Sequence, residues 1–135
     1  MNITELVGRA HDNAVKHGFW DPPLNFGTAI ALIHSELSEA LEEERAGRAL
    51  VWYHCTESDP PLPCDPADET DCFQYGYEHT CQYRDAKPEG VAVELADAVI
   101  RIADLCGYLG IDLDTVISEK MAYNETRPFK HGKRF

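Results

Sequence analysis

Four carboxylates in two pairs are the residues of this 135-residue chain whose types and spacing could do chemistry: Glu36 with Glu39, and Glu94 with Asp97. Members of each pair sit three positions apart, which on a helix puts both on one face. Four convergent carboxylates suit a hard divalent cation that takes oxygen ligands, Mg²⁺ or Mn²⁺. A di-iron carboxylate bundle would add Glu-x-x-His motifs, and the chain has none. Magnesium is the expected ion.

Helical geometry sharpens this expectation. With Glu94 set at zero, Glu94, Asp97, Arg101 and Asp104 fall within an arc of about 280° to 360°. Every other position from Val91 to Cys106 is apolar, so the helix reads as buried on most sides with one acidic stripe. Burying unpaired carboxylates is costly, so that stripe needs cations. On the preceding long helix, Ile30, Ile33, Leu37, Ala40 and Leu41 form the core-facing stripe and the acids flank it. Two such helices in contact bring Glu36 and Glu39 opposite Glu94 and Asp97. The plainer alternative is a set of solvated acids: Glu-x-x-Glu is common on helices, and Glu42, Glu43 and Glu44 read as a solvated run. Asp97, Arg101 and Asp104 can equally form an ion-pair ladder. The joint occurrence of two motifs, one on an otherwise apolar helix, favours the site.

The elements that must position these acids are legible as four helices. Residues 3–17 place Ile3, Leu6, Val7, Ala10, Ala14 and Val15 on one face, and Gly18 follows as a C′ residue. A loop with Pro22-Pro23 leads to a second helix over 27–46, and a third spans 89–109 before Gly110. Asp112 or Asp114 caps a last helix that runs to Thr126 ahead of Pro128. With no convincing strand, the fold class is all-α: a four-helix bundle, one domain over 1–135. Residues 54–88 form an insert between the second and third helices, with five of the eight prolines and Leu62 as its lone Leu, Ile, Val or Met. Such a segment cannot build its own core. It carries Cys55, Cys64, Cys72 and Cys81, a weak zinc signal because zinc sites favour Cys-x₂₋₄-Cys knuckles. Structural zinc, disulfides and free thiols all remain open, with His54 and His79 as reserve ligands.

Composition excludes some classes. A hydrophobic fraction of 44% argues for a globular chain, and no apolar run reaches the ~20 residues of a membrane span. A net charge of −12 argues against binding a nucleic-acid polymer. Met1-Asn2-Ile3-Thr4-Glu5 lacks the basic and apolar regions of a secretory signal, so the expected location is cytoplasmic.

These motifs resemble those of the MazG-type, all-α nucleoside triphosphate pyrophosphohydrolases. The matching pieces are His34-Ser35-Glu36-Leu37-Ser38-Glu39-Ala40, Glu94-Leu95-Ala96-Asp97-Ala98-Val99-Ile100-Arg101, and Lys120-Met121-Ala122-Tyr123-Asn124 with Arg127-Pro128. The resemblance covers everything but the insert, which makes the Glu39-to-Glu94 gap far longer than is usual in the family. It implies Mg²⁺ ligation by Glu36, Glu39, Glu94 and Asp97, and assembly into a homodimer or homotetramer. It also implies cleavage of a nucleoside triphosphate between the α and β phosphates, giving a nucleoside monophosphate and pyrophosphate, a reaction suited to sanitising a nucleotide pool.

The rest of the chain offers a supporting cast. Glu39 is the candidate base for the attacking water. Lys120, Asn124 and Arg127 share one helix face as a triphosphate clamp, with Lys130 and His131 as additions; a basic tail pairing with the protein's own acids is the alternative. Trp20, with Phe19, could stack on a base or plug the core, and Trp52 and Tyr53 invite the same question. His34 reads as a packed or hydrogen-bonding side chain, not a ligand. Other readings are a related pyrophosphatase acting on phosphoribosyl-ATP or dUTP, and a non-catalytic helical interaction module whose cysteine loop binds zinc or a partner.

Overall fold

The computed structural model describes residues 1–54, 63–64 and 87–134. Their elements are α1 (Ile3–Lys16), α2 (Phe26–Arg45), β1 (Trp52–His54), β2 (Pro63–Cys64), β3 (Lys87–Glu89), α3 (Val91–Leu109), α4 (Leu113–Glu125) and a 3₁₀ turn at Phe129–Gly132. The chain is mostly helical, as its periodicity predicts. Contacts divide it into two units, Met1–Ile30 with Val99–Phe135, and Ala31–Ala98.

In the first unit, α1 starts on a reciprocal capping box: Asn2 Oδ1 accepts from the Glu5 backbone N–H at 2.8 Å, and Glu5 Oε2 accepts from the Asn2 N–H at 3.0 Å. Its buried face is small, Ala10 and Ala14, and this lets α3 approach closely. Closest is Gly107, where a Cβ would lie 2.5 Å from His11 Cβ, so no larger residue fits without moving α1. Asn25 caps α2 by accepting from the Thr28 N–H at 2.8 Å. Asp112 caps α4, and hydrogen bonds from Thr115 hold its carboxyl below the usual carboxylate range. Ala29, Ala103, Leu105 and Cys106 are buried as well, and burial pushes the Cys106 thiol up, so it behaves as a packed apolar group.

The second unit contains a feature that the sequence reading missed. Where no strand was expected, β1 pairs antiparallel with both β2 and β3, in the order β2-β1-β3, with Tyr53 opposite Cys64 on one side and Pro88 on the other. Strands of two and three residues are too short to display a period of two, and their partners lie far apart in sequence. The insert therefore leaves and returns on paired strands. Its return is locked to α3 at Gly90, whose φ is 109°. Here the Ala92 N–H donates to Leu50 O at 3.0 Å, and a Cβ on Gly90 would meet that oxygen at 2.6 Å. Gly90→Ala is expected to cost about 3 kcal/mol through combined strain and clash. Urea unfolding measures this, and a loss below about 1 kcal/mol would mean that the contact simply relaxes.

One expectation about α3 is corrected. Leu95, Val99 and Ile102, spaced four and three positions apart, remain 47%, 50% and 40% exposed. Among the described residues α3 is therefore not covered on most sides; its buried positions are Glu94, Ala98, Ala103, Leu105 and Cys106.

Candidate metal centre

Glu36 and Glu39 on α2 and Glu94 on α3 each bring a carboxylate oxygen within 4.8 Å of the other two. Glu36 and Glu94 are only 6% exposed, whereas Glu39 is exposed. The convergence has a local cause: Ala40 and Ala98, both buried, lie one turn beyond the acids on their respective helices. Small residues at these positions allow the acid-bearing segments close together.

Electrostatics mark Glu94 as the group under most stress. Among the described residues no hydrogen bond or ion pair reaches its side chain. Burial is the largest cause of a pKa pushed up to about 7, and the negative charges of Glu39, Glu89, Asp97 and Glu36 raise it further. Asp97 is half-buried and acts on Glu94 through its charge, but it lies outside the three-carboxylate grouping. An all-oxygen donor set, two members of it buried and repelling each other, fits a hard divalent cation and does not fit a soft one.

Two further groups enter this unit without any motif to announce them. Glu89 on β3 is a fifth carboxylate whose charge reaches Glu94, and it accepts an ion pair from Lys87 Nζ at 2.6 Å. Glu43, read as part of a solvated run, has a side chain only 14% exposed. It accepts from Arg48 Nη1 at 2.6 Å and Trp52 Nε1 at 2.7 Å, while the Arg48 guanidinium lies 5.0 Å from the Trp52 ring centre. Trp52 is thus tied to α2 by its polar edge, which anchors β1. Only the tertiary placement of Trp52 reveals this, since the two residues are nine positions apart.

Other candidates belong to the first unit. Trp20 stacks on Tyr108 with ring centres 4.0 Å apart and planes 12° apart, and its Nε1–H donates to Asp104 Oδ1 at 2.8 Å. The same oxygen accepts from His11 Nδ1–H at 2.8 Å. Asp104 is therefore not a free member of an acidic stripe; it joins α1, the Pro-Pro loop and α3. His11 was overlooked by the sequence reading because a lone histidine on an amphipathic helix carries no distinguishing pattern. Phe19 is 59% exposed and does not plug the core, and His34 is exposed, contrary to the packed role expected of it.

Lys120 Nζ on α4 and the guanidinium of Arg127, which lies past the helix end at Glu125 and not on the shared helix face expected of it, are 5.0 and 5.8 Å from the Tyr123 ring centre, and Asn124 and Arg127 are half-buried. Lys130 Nζ lies 5.7 Å from the Phe129 ring, and His131 is exposed. Cys55, Cys72 and Cys81 lie outside the described residues, as does the side chain of Cys64. Among the described residues no helix is long and apolar enough to cross a membrane. No protein-family model, curated protein or solved structure matches this chain.

Proposed function

We propose that the protein is a Mg²⁺-dependent nucleoside triphosphate pyrophosphohydrolase, cleaving a nucleoside triphosphate to the monophosphate and pyrophosphate. The observation that carries this reading is the meeting of Glu36, Glu39 and Glu94, with Glu36 and Glu94 buried, and with burial and the neighbouring negative charges raising the Glu94 pKa. Such an arrangement is costly for a chain to keep unless a cation offsets it. Glu36, Glu94 and Glu39 would hold the ion, with Asp97 as the fourth carboxylate of the motif pair; Mn²⁺ has the same ligand preference. Bound there, the ion supplies charge neutralisation at phosphate oxygens and lowers the pKa of a water.

The chain's own residues supply the rest. Glu39, the exposed member of the cluster, accepts the proton of the attacking water. By the motif resemblance, Lys120, Asn124 and Arg127 are the phosphate-binding candidates, and Trp20, stacked on Tyr108, is the candidate for the base. Exposed Leu95, Val99 and Ile102 on α3, with Leu37 and Leu41 at 45% and 57% on α2, support burial against a second copy in a homodimer or homotetramer.

The deciding experiment incubates the purified protein with a panel of ribo- and deoxyribonucleoside triphosphates and Mg²⁺, then measures pyrophosphate and monophosphate. Equimolar release of both from at least one nucleotide, abolished by a chelator, is the expected result. No release from any nucleotide would overturn the reading and leave a non-catalytic helical module.

A further inference from the structure

The proposed centre is built from acids, and its substrate is a polyanion. Cations other than the metal must therefore come from somewhere close. In the unit that holds Glu36, Glu39 and Glu94, one lysine is placed for this. Lys87 and Glu89 occupy alternate positions on β3, so both side chains lie on the same side of that strand. Lys87 Nζ is held on Glu89 Oε1 at 2.6 Å, with Glu89 only 15% exposed and Lys87 still 63% exposed. An ammonium has three donors, and this ion pair uses one. Immediately after Glu89, Gly90 opens α3, and the Glu94 N–H donates to Gly90 O at 3.1 Å; the lysine strand and the first turn of the acid-bearing helix are one continuous piece. The negative charges of Glu94 and Asp97, as well as that of Glu89, act on Lys87.

We propose that Lys87 is a phosphate-binding residue of this centre, held by Glu89 and delivered by the returning strand of the insert. This rests on the pyrophosphohydrolase reading and assigns the insert's stem a part in it. A mostly exposed Lys–Glu pair adds little stability by itself, whereas an anchored ammonium with free donors beside a cation-binding carboxylate cluster is equipped to meet phosphate oxygens. Lysine suits this role as a compact point charge on a flexible stem.

Lys87→Met is expected to raise KM for the preferred nucleoside triphosphate about tenfold, as loss of one charge-assisted contact should, while kcat falls much less. Lys87→Arg should recover most of the loss. Binding of Mg²⁺ alone to Lys87→Met, measured by calorimetry, should be unchanged or tighter, since a repelling charge is gone. A wild-type protein that releases no pyrophosphate would overturn the enzyme and this role together. An active wild type, with Lys87→Met holding KM within twofold, would overturn the role of Lys87 alone. So would a loss that Lys87→Arg fails to rescue and that follows a lowered melting temperature, because that pattern belongs to a structural pair.

Discussion

Glu94→Gln is expected to lose at least a hundredfold in Mg²⁺-dependent turnover and, in the same protein without metal, to gain stability. The two effects have one cause. A glutamine cannot neutralise a divalent cation, so the proposed centre loses one of its two buried ligands. Yet in the metal-free chain Glu94 is a burden: its pKa is about 7 when folded, against a usual value of 4.5. A carboxyl with a raised folded pKa favours the folded state fully only below its unfolded pKa, and that advantage fades as pH rises towards 7. Spread over about two and a half units, the loss amounts to roughly 3 kcal/mol. The melting temperature of the metal-free protein should therefore fall between about pH 4.5 and 7.5 in the wild type, and fall less in Glu94→Gln. Added Mg²⁺ should raise it at pH 7.5 in the wild type only, since binding to the folded state stabilises by mass action. Calorimetric scans across pH, with and without Mg²⁺, test all three. A Glu94→Gln protein that retains the full pH slope, or that Mg²⁺ still stabilises equally, would remove Glu94 from the centre. Glu36→Gln, the other buried acid of the cluster, provides the companion measurement.

Asp104→Ala is expected to be the most destabilising substitution in the other unit, by about 3 kcal/mol. Asp104 Oδ1 accepts from both His11 Nδ1–H and Trp20 Nε1–H at 2.8 Å, and its side chain is 18% exposed. Removing it leaves two partly buried donors without an acceptor, and hydrogen bonds to a charged group contribute about 1.5–3 kcal/mol each. It also frees the Trp20 ring, whose stack on Tyr108 depends on the indole edge being held. Asp104→Asn keeps one acceptor oxygen and should cost about half as much. Denaturant titration followed by tryptophan fluorescence separates the variants. A cost below about 1 kcal/mol for Asp104→Ala would mean that water replaces the carboxylate at both donors.

Those two outcomes bear on different parts of the molecule, and the sequence was informative about them to different degrees. Helical periodicity foresaw all four helices, and their bounds shifted by only a residue or two at most ends. A spacing of three placed Glu36 with Glu39, and Glu94 with Asp97, on one face of their helices whatever those helices pack against; that Glu36, Glu39 and Glu94 meet is decided by packing. Asp97 was expected in the same set and is found acting on Glu94 through its charge, outside the tight grouping of three.

What the residue string could not disclose depends on partners distant along the chain. The sheet formed by β1, β2 and β3 has strands too short to show alternation, and its register joins Trp52 to Glu89 across the whole insert. Lys87 and Glu89 look like two charges at the end of an acidic, proline-rich stretch until that register sets them before α3. Glu43 resembles its neighbours Glu42 and Glu44 in every local respect; only folding brings the Trp52 indole to it. Asp104 and His11 are 93 positions apart, and no local pattern pairs them. The sequence by itself determined which residues share a helix face, since backbone geometry sets that. Tertiary structure alone decided which faces meet, because packing depends on the small side chains, such as Ala10, Ala14 and Gly107, that permit close approach.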